Sequence, residues 1–245
     1  INYFPIPIKE SSPCHPTKKY GLGKLECEKF LLAEFKQINL PVTILRAPPV
    51  FGPLLDKRLA GKFINKIAQR GYDERRELLY IQKIKNNQTI LLPNGGYNLI
   101  HNIYIGELVE YISQIIYSQE GLGGEIFNIS SREAIMLKDY IKMLATGLNK
   151  KVKIIDLPEK IGQKIFNSSS FYLNFPYSYP YHIVIDNSKI RNTLRYTNQT
   201  KYENKKTLAE TARWWINIPE LEKLTNDHLY LENKAIKQIN NSYKQ

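Results

Sequence analysis

The chain has 245 residues, of which 42% are hydrophobic, and this is enough for one core with an appended lobe. Its net charge of +12 at pH 7 comes from scattered lysines and favours anionic ligands such as nucleotides or RNA. Two cysteines exclude a disulfide framework and have no metal-ligand spacing, and no apolar run is long enough to span a membrane. We expect Cys14 to be a loop thiol and Cys27 a small core residue.

The first predicted helix spans about residues 17–37. Tyr20 and Lys24 are four positions apart at its start and therefore lie on one face. A lysine ammonium beside a phenol favours the ionised phenolate, which can exchange a proton at neutral pH. Many helices have such a pair as a solvated surface feature with no catalytic role. The pair alone is therefore consistent with either a catalytic pair or a solvated one. The apolar spacing also predicts a buried stripe formed by Cys27, Phe30, Leu31 and Phe35.

Residues 42–47 read as a buried strand, and a loop rich in proline and glycine follows at 48–53. In open α/β sheets, ligands bind at the carboxyl ends of strands, so this loop is a candidate site. Pro48 and Pro49 are equally consistent with simple termination of the strand. Arg46 has two interpretations, a contact to phosphate or a buried ion pair, of which we favour the ion pair.

The next elements alternate between helix and strand, which predicts a doubly wound parallel sheet. The charged run at 73–77 predicts either a solvated helix face or part of a substrate lid. The predicted elements are strand 89–92, turn 93–96, strand 100–105, helix 106–118, strand 126–130 and helix 137–148. The helix at 106–118 places Leu108, Ile112, Ile115 and Ile116 on one face.

The remaining chain predicts a small α+β lobe. It has a strand at 152–156, a helix to about 166 and another helix at 207–216. The aromatic segment 171–182 contains no Lys or Arg, so packing or contact with a sugar ring is preferred to base stacking. We expect Trp214 and Trp215 to cap the core.

Five segments, in the same order, resemble the extended short-chain dehydrogenase/reductase superfamily and within it the NAD-dependent epimerase/dehydratase group. The first is the Tyr-Gly-x-Gly-Lys of residues 20–24, and the second is the strand and loop that ends in Val-Phe-Gly-Pro. The resemblance covers residues 13 to about 216. The other three segments are 102–108, 124–129 and 185–191.

The resemblance implies the C-terminal part of a Rossmann-like doubly wound parallel sheet plus a small α+β substrate lobe. Residues 1–130 would form the second part of an NAD(P)-binding domain, with a lobe segment inserted at about 54–99. Residues 131–216 would be mostly substrate lobe, and 217–245 a charged tail, helical or disordered. The family's Gly-x-x-Gly-x-x-Gly turn is absent from the sequence. We therefore expect the first half of the sheet to lie outside the chain and the isolated chain to be inactive.

The resemblance also implies roles for single residues. Tyr20 would be the general acid/base, and Lys24 its electrostatic partner and a ligand of NAD or NADP. The substrate would be a sugar or nucleotide sugar, with no metal involved. The implied cofactor contacts also include Tyr20, Pro48 and Val50, and the implied substrate contacts are Pro49, His101 and Tyr177. His101 is equally consistent with a surface or sheet-edge position.

The sequence leaves the substrate, the function class, the oligomeric state and the compartment undecided. Ile100 and His101 stand where epimerases of this family often carry Arg and Asp, which leaves the exact substrate undecided. The charge and the resemblance to stem-loop-binding members of the superfamily favour RNA binding as one alternative, and a catalytically dead remnant is another. A homodimer is compatible with the sequence. We expect a cytoplasmic protein without membrane contact, with an organelle or plastid as a further option.

Overall fold

The computed structural model describes residues 5–17, 19–54, 57–58, 60–62, 64, 76–118, 121–166, 182–196, 201–224 and 226–242. The chain divides into two compact units, here called unit 1 and unit 2. Unit 1 comprises Ile1–Val50, His101–Ala134 and Ile183–Tyr202. Unit 2 comprises Phe51–Ile100, Ile135–His182 and Glu203–Gln245. The finer domain boundaries expected from the sequence stay a prediction.

The helices and strands alternate along much of the chain. In order they are α1 (Lys19–Ile38), β1 (Ile44–Arg46), β2 (Val50–Phe51), α2 (Arg76–Lys85), β3 (Ile90–Pro93), a 3₁₀ turn (Asn94–Gly96), β4 (Leu99–Ile100), β5 (Ile103–Tyr104), α3 (Ile105–Ile116), β6 (Ile126–Asn128), β7 (Ile135–Met136), α4 (Leu137–Gly147), β8 (Ile154–Leu157), α5 (Glu159–Phe166), α6 (Ser188–Thr193), α7 (Asn204–Trp215), a 3₁₀ segment (Pro219–Leu224) and α8 (Asn226–Ser242).

Unit 1 is built on the parallel pair of β1 and β6. Ile44 lies opposite Ile126, and Arg46 lies opposite Asn128. Parallel strands require a long crossover between them and apolar cover on their faces. The buried residues of this unit's core include Ile103, Tyr111, Leu122, Phe127, Ile129, Ile190 and Tyr196.

Unit 2 combines parallel and antiparallel pairs with helices. β3 and β8 are parallel, whereas β4 and β7 are antiparallel. α4 and α7 approach so closely that a Cβ added at Gly147 would stand 2.5 Å from the Cα of Ala209. Trp215 of α7 is fully buried, as the sequence predicts, and its ring N–H donates a hydrogen bond of 2.9 Å to the carbonyl of Gly52.

α8 belongs to the core of unit 2. Ala235 and Ile239 are buried against Leu91, Leu157 and Ile165. The sequence left this segment undecided between helix and disorder, because its apolar residues are few and dispersed. Those few residues lie on one face, and contact with the β3–β8 pair stabilises the helix.

The predicted buried stripe of α1 is wrong. None of the residues of α1 is buried, and Cys27 and Phe30 are exposed. The other two residues of the stripe, Leu31 and Phe35, are half-buried, and the ring of Phe35 lies against the turn at Gly123 and Gly124. The spacing of apolar residues identifies a stripe, but tertiary contacts decide which side of a helix is covered. Cys14 lies in an irregular segment and is exposed, as expected.

The predicted apolar face of α3 is only partly covered. Leu108 and Ile115 pack against the core of unit 1, whereas Ile112 and Ile116 are exposed. The fully buried residues of the helix are a carboxyl group and a phenol, those of Glu107 and Tyr111, which the apolar pattern does not predict.

The charged stretch before β3 contains a buried helix. Residues 78–84 of α2 are all buried. Of the charged run at 73–77, residues 73–75 lie outside the described residues, and only the backbone of the last two is described. Within the described part of the chain, no helix is long and apolar enough to cross a membrane.

Candidate functional site

α1 brings Tyr20 and Lys24 together, as the spacing predicts. The ammonium nitrogen of Lys24 lies 5.5 Å from the centre of the Tyr20 ring. Tyr20 is 79% exposed, so its phenol is open to a ligand from solvent. A cation near the ring is attracted by its electron-rich face.

A cavity of about 380 Å³ lies beside this pair in unit 1. Its wall comes from three pieces of chain, namely the irregular segment before α1, one side of α1 and the end of β1. Lys24 is part of the wall, one turn from Glu28. The lining residues are Pro13, Cys14, His15, Pro16, Gly21, Lys24, Leu25, Glu28 and Arg46.

Gly21 sets the distance between the irregular segment and α1. A Cβ added at Gly21 would stand 2.8 Å from the Cβ of Pro16, a distance that real side chains do not reach. A side chain at this position would push the wall of the cavity away from the first turn of α1. Gly23, by contrast, has no neighbouring atom within 4 Å of such a Cβ.

Arg46 forms an ion pair inside the cavity wall, which was the favoured of the two interpretations. Its Nε donates a hydrogen bond of 3.0 Å to Oε2 of Glu28, and a second guanidinium nitrogen pairs with Oε1 of the same carboxylate. A third nitrogen donates to the carbonyl of Glu10 at 2.8 Å. The hydrogen bond with Glu28 raises the pKa of Arg46 above its ordinary value.

The ion pair leaves Lys24 as the cation of this wall without a carboxylate partner among the described residues. Since Glu28 neutralises Arg46, an anionic or hydroxyl-rich ligand in the cavity meets the charge of Lys24. The wall therefore offers one available ammonium, and the exposed phenol of Tyr20 lies next to it outside the lining residues.

The loop after β1 places the remaining predicted cofactor contacts. Pro48 is half-buried and Pro49 exposed, and the carbonyl of Pro49 accepts a hydrogen bond of 3.1 Å from the N–H of Ile103. Val50 packs partly against the apolar core of unit 1. The structure therefore gives this loop a role in joining β1 to the core, and its contact with a ligand stays a prediction.

His101 is buried, so the surface position considered from the sequence is wrong, whereas the sheet-edge position and the contact with a ligand stay predictions. Its Nε2 lies 2.7 Å from the carbonyl of Ser131, and its Nδ1 accepts a hydrogen bond of 3.0 Å from the N–H of Ile185. A ring that donates at one nitrogen and accepts at the other is neutral. Burial lowers the pKa of His101. Tyr177, also predicted to contact substrate, lies outside the described residues.

Sequence reasoning missed a buried polar cluster in unit 1. Burial raises the pKa of Glu107 to about 7, while Ser131 and Arg191 oppose this rise. The rings of Tyr111 and Tyr196 stack with centres 4.7 Å apart. Within the described chain, no hydrogen-bond partner is found for Oε2 of Glu107, Oγ of Ser131 or the hydroxyls of both tyrosines. The four-residue spacing of Glu107 and Tyr111 was the available signal.

A metal site was not expected from the sequence. Among the described residues, no three His, Cys, Asp or Glu side chains group in a way that could hold a metal ion. The absence of a metal from the reaction stays a prediction.

Comparison with known proteins gives a consistent result. A model of the NAD dependent epimerase/dehydratase family matches residues 2–130. A dTDP-D-glucose 4,6-dehydratase of Dictyostelium discoideum is 27% identical over 135 residues, which are 55% of this chain and 27% of that protein. A dTDP-4-dehydro-6-deoxyglucose reductase of Escherichia coli is 31% identical over 149 residues, which are 60% of this chain and 42% of that protein.

A solved structure gives the same fold. The UDP-glucuronic acid 4-epimerase of Bacillus cereus, in complex with NAD, superimposes with a TM-score of 0.61 at 18% identity. The superposition covers 85% of this chain and 56% of the epimerase. The expected Rossmann-like α/β fold is thereby confirmed. The chain spans little more than half the length of that epimerase, and less than half of each curated relative is matched.

Proposed function

Because the family model matches more than half of its residues, the chain belongs to the NAD dependent epimerase/dehydratase family, and we propose that it acts on a hydroxyl group of a sugar or nucleotide sugar. The proposed enzyme uses NAD or NADP. The observation that carries the proposal is the exposed phenol of Tyr20 beside Lys24, whose ammonium is available at the cavity wall.

The cavity fits one end of a dinucleotide. Its volume of about 380 Å³ and its single available ammonium suit a ribose with an attached nicotinamide ring. The glycine-rich turn that binds a pyrophosphate at a helix N-terminus is absent from the sequence. These residues would thus hold the nicotinamide end, which supplies the acceptor for a hydride when bound.

Tyr20 and Lys24 would have different roles in the reaction. Tyr20 would take the proton from a substrate hydroxyl and return it in the reverse reaction. Lys24 would stabilise the phenolate by its charge and hold ribose hydroxyls by hydrogen bonds. Pro48 and Val50 lie outside the cavity lining, in the loop after β1, and are proposed to contact the nicotinamide from there.

The predicted substrate contacts differ in what supports them. Pro49 is exposed and therefore accessible to a ligand. The assignment of Tyr177 rests on the family resemblance alone. His101 has both ring nitrogens engaged by backbone groups, which favours a structural role near the substrate over direct contact with it.

Binding of cofactor halves tests this proposal. Nicotinamide mononucleotide should bind to the chain saturably, as measured by NMR chemical shifts, whereas adenosine monophosphate should not, because the cavity suits the nicotinamide end. Lys24→Ala should abolish this binding. Lys29→Ala is the matched control, since Lys29 is exposed on the same helix but is not part of the cavity wall. Equal binding of both nucleotides would refute the proposal.

The role of Tyr20 needs its own comparison. With NAD and a panel of dTDP- and UDP-sugars as substrates, Tyr20→Phe should remove any turnover that the chain supports, and Tyr117→Phe should not. Tyr117 is a suitable control because its ring is also exposed. Unchanged turnover in Tyr20→Phe would refute the assigned role.

RNA binding remains the second proposal, supported by the net charge of +12. It predicts that a stem-loop RNA binds with an affinity that falls steeply with salt, because lysines release counterions from phosphates. Filter binding at low and high salt measures this slope. An affinity unchanged by Tyr20→Phe, together with no binding of nicotinamide mononucleotide, would favour RNA binding over the enzyme.

A further inference from the structure

The Arg46–Glu28 ion pair connects α1 to the end of β1. Glu28 lies one helical turn after Lys24 on the same face of α1. Arg46 is the last residue of β1 and grips both carboxylate oxygens of Glu28. Such a two-point contact fixes direction as well as distance, because the guanidinium is planar. The side chains are 25% and 15% exposed, so water screens the pair only in part.

A second set of bonds holds the irregular segment before α1 to the same strand ends. Arg46 donates to the carbonyl of Glu10 at 2.8 Å, and the N–H of Asn128 donates to the carboxylate of Glu10 at 2.8 Å. The side-chain amide of Asn128 donates to the carbonyl of Ile8 at 3.0 Å. Arg46 and Asn128 lie directly opposite each other in the β1–β6 pair. Residues 8–10 are thus held by both strands.

These contacts lead directly to the cavity. The held segment continues into residues 13–16, which form one wall, and Pro16 rests against Gly21 on the first turn of α1. Lys24 protrudes from the opposite wall, between Gly21 and Glu28. Arg46 therefore contacts the helical wall through Glu28, and through Glu10 it holds the segment that leads into the irregular wall.

We propose that Arg46 and Glu28 are positioning residues that set the place of the Lys24 ammonium relative to the wall of residues 13–16. Their ion pair fixes the rotation of α1 and keeps the guanidinium from competing with Lys24 for a ligand. The nature of that ligand rests on the proposed function, whereas the positioning itself concerns this chain alone. Neither side chain is assigned a contact with substrate or cofactor.

Hydrogen exchange tests the positioning without any ligand. The reporting amides are those of Ser12, which bonds the carbonyl of Lys9 at 3.0 Å, and of Asn128. In Arg46→Met and Glu28→Gln, exchange at both amides and in the first turns of α1 should become roughly tenfold faster, because the segment and the helix lose a shared anchor. Lys201→Met breaks the ion pair with Glu110 in the same unit and should leave these amides unchanged.

Affinity for nicotinamide mononucleotide is the second measurement. Supporting residues around a site typically contribute about tenfold to ligand affinity, so both variants should bind the nucleotide roughly tenfold more weakly at a temperature where they remain folded. Arg46→Lys should fall between Arg46→Met and the unmodified chain. A lysine restores the charge opposite Glu28 but lacks the planar guanidinium that bonds both oxygens of Glu28 and the carbonyl of Glu10 at once.

The outcomes separate the two proposals. Faster exchange with weaker binding supports the positioning role. Unchanged exchange in folded Arg46→Met, or faster exchange with unchanged binding, overturns it. If the unmodified chain binds no nicotinamide mononucleotide while exchange still accelerates in both variants, the proposed function fails and the positioning of Lys24 by the pair is supported.

Discussion

Lys83 and Glu232 are 149 residues apart in the chain and form an ion pair within unit 2. Their side chains are 1% and 2% exposed, respectively. Lys83 belongs to α2 and Glu232 to α8, so the pair joins the last helix to one in the first half of the sequence. Removing a charged group from water costs free energy, so each of these buried charges is stable only while it is paired with the other.

We expect Lys83→Met to lower the free energy of unfolding by about 3–5 kcal/mol, because it leaves the carboxylate of Glu232 buried without its cation. The double variant Lys83→Met with Glu232→Leu should recover most of this loss. Urea denaturation measures both values. Lys85→Met is the control, since its pair with Glu222 is more exposed and should contribute less than about 1 kcal/mol. A double variant as unstable as the single one would contradict this account.

Glu107 should make unit 1 less stable as the pH rises. Burial raises the pKa of its carboxyl from an ordinary value near 4.5 to about 7 in the folded chain. The folded state therefore holds a proton that the unfolded state has released, and the resulting stability is present below about pH 4.5 and is lost as the pH rises through 7.

Glu107→Gln keeps the shape of the side chain and removes this titration. Relative to the unmodified chain, the variant should gain on the order of 3 kcal/mol between pH 5 and pH 8, as judged by urea denaturation at both values. Glu125→Gln serves as a control, because Glu125 is in the same unit and its ion pair with Lys189 is exposed. A difference that does not depend on pH would contradict the assignment.

His101 should have the opposite dependence. Its pKa is lowered by burial, so the unfolded state binds a proton more readily than the folded state. The stability contributed by neutral His101 is present above its unfolded pKa, near 6.5, and is lost as the pH falls below that value. Protonation would also turn Nδ1 into a donor facing the N–H of Ile185.

His101→Gln should lower the free energy of unfolding by about 1–3 kcal/mol at pH 8, since the buried N–H of Ile185 loses its acceptor. The difference from the unmodified chain should shrink by pH 5.5. Denaturation curves at the two pH values measure this change. His182→Gln is the comparison, because the ring of this exposed histidine also accepts a backbone hydrogen bond, from the N–H of Leu99, and water can replace it there, so a smaller loss is expected at pH 8.

Two glycines on the first turns of α1 should respond differently to alanine. Gly23→Ala should stabilise the chain by about 0.5–1 kcal/mol, because alanine favours the helix and the added methyl group meets no atom within 4 Å. Gly21→Ala should lose this gain, since its methyl group would stand 2.8 Å from Pro16. Thermal unfolding measures stability, and binding of nicotinamide mononucleotide should weaken in Gly21→Ala alone. Equal behaviour of the two variants would exclude the close contact.

The sequence predicts local elements better than their environment. The helix predicted at 17–37 is α1 at Lys19–Ile38, and the strand predicted at 42–47 contains β1 at Ile44–Arg46. Local spacing determines these elements and brings Tyr20 and Lys24 together. The burial of Glu107 could not be predicted in this way, because Ser131 and Arg191, which surround it, come from distant parts of the chain.

In the candidate site, too, sequence spacing predicts contacts within one helix but not contacts between distant parts of the chain. Tyr20 and Lys24 are four residues apart, so helical geometry alone predicts their contact. The ion pair of Arg46 with Glu28 was one of two open interpretations, because a sequence does not tell which of several carboxylates lies near an arginine. The contacts of Glu10 with both strands had no signal in the sequence.

The bonds from Arg46 and Asn128 to residues 8–10 also constrain the alignment of β1 with β6. The two residues are opposite each other, and each holds a different group of the same short segment. A slip of the strands by one residue would turn one of these side chains to the other face of the sheet. The segment that forms the cavity wall can therefore dock only on correctly aligned strands, so a misaligned chain would fold without a complete site.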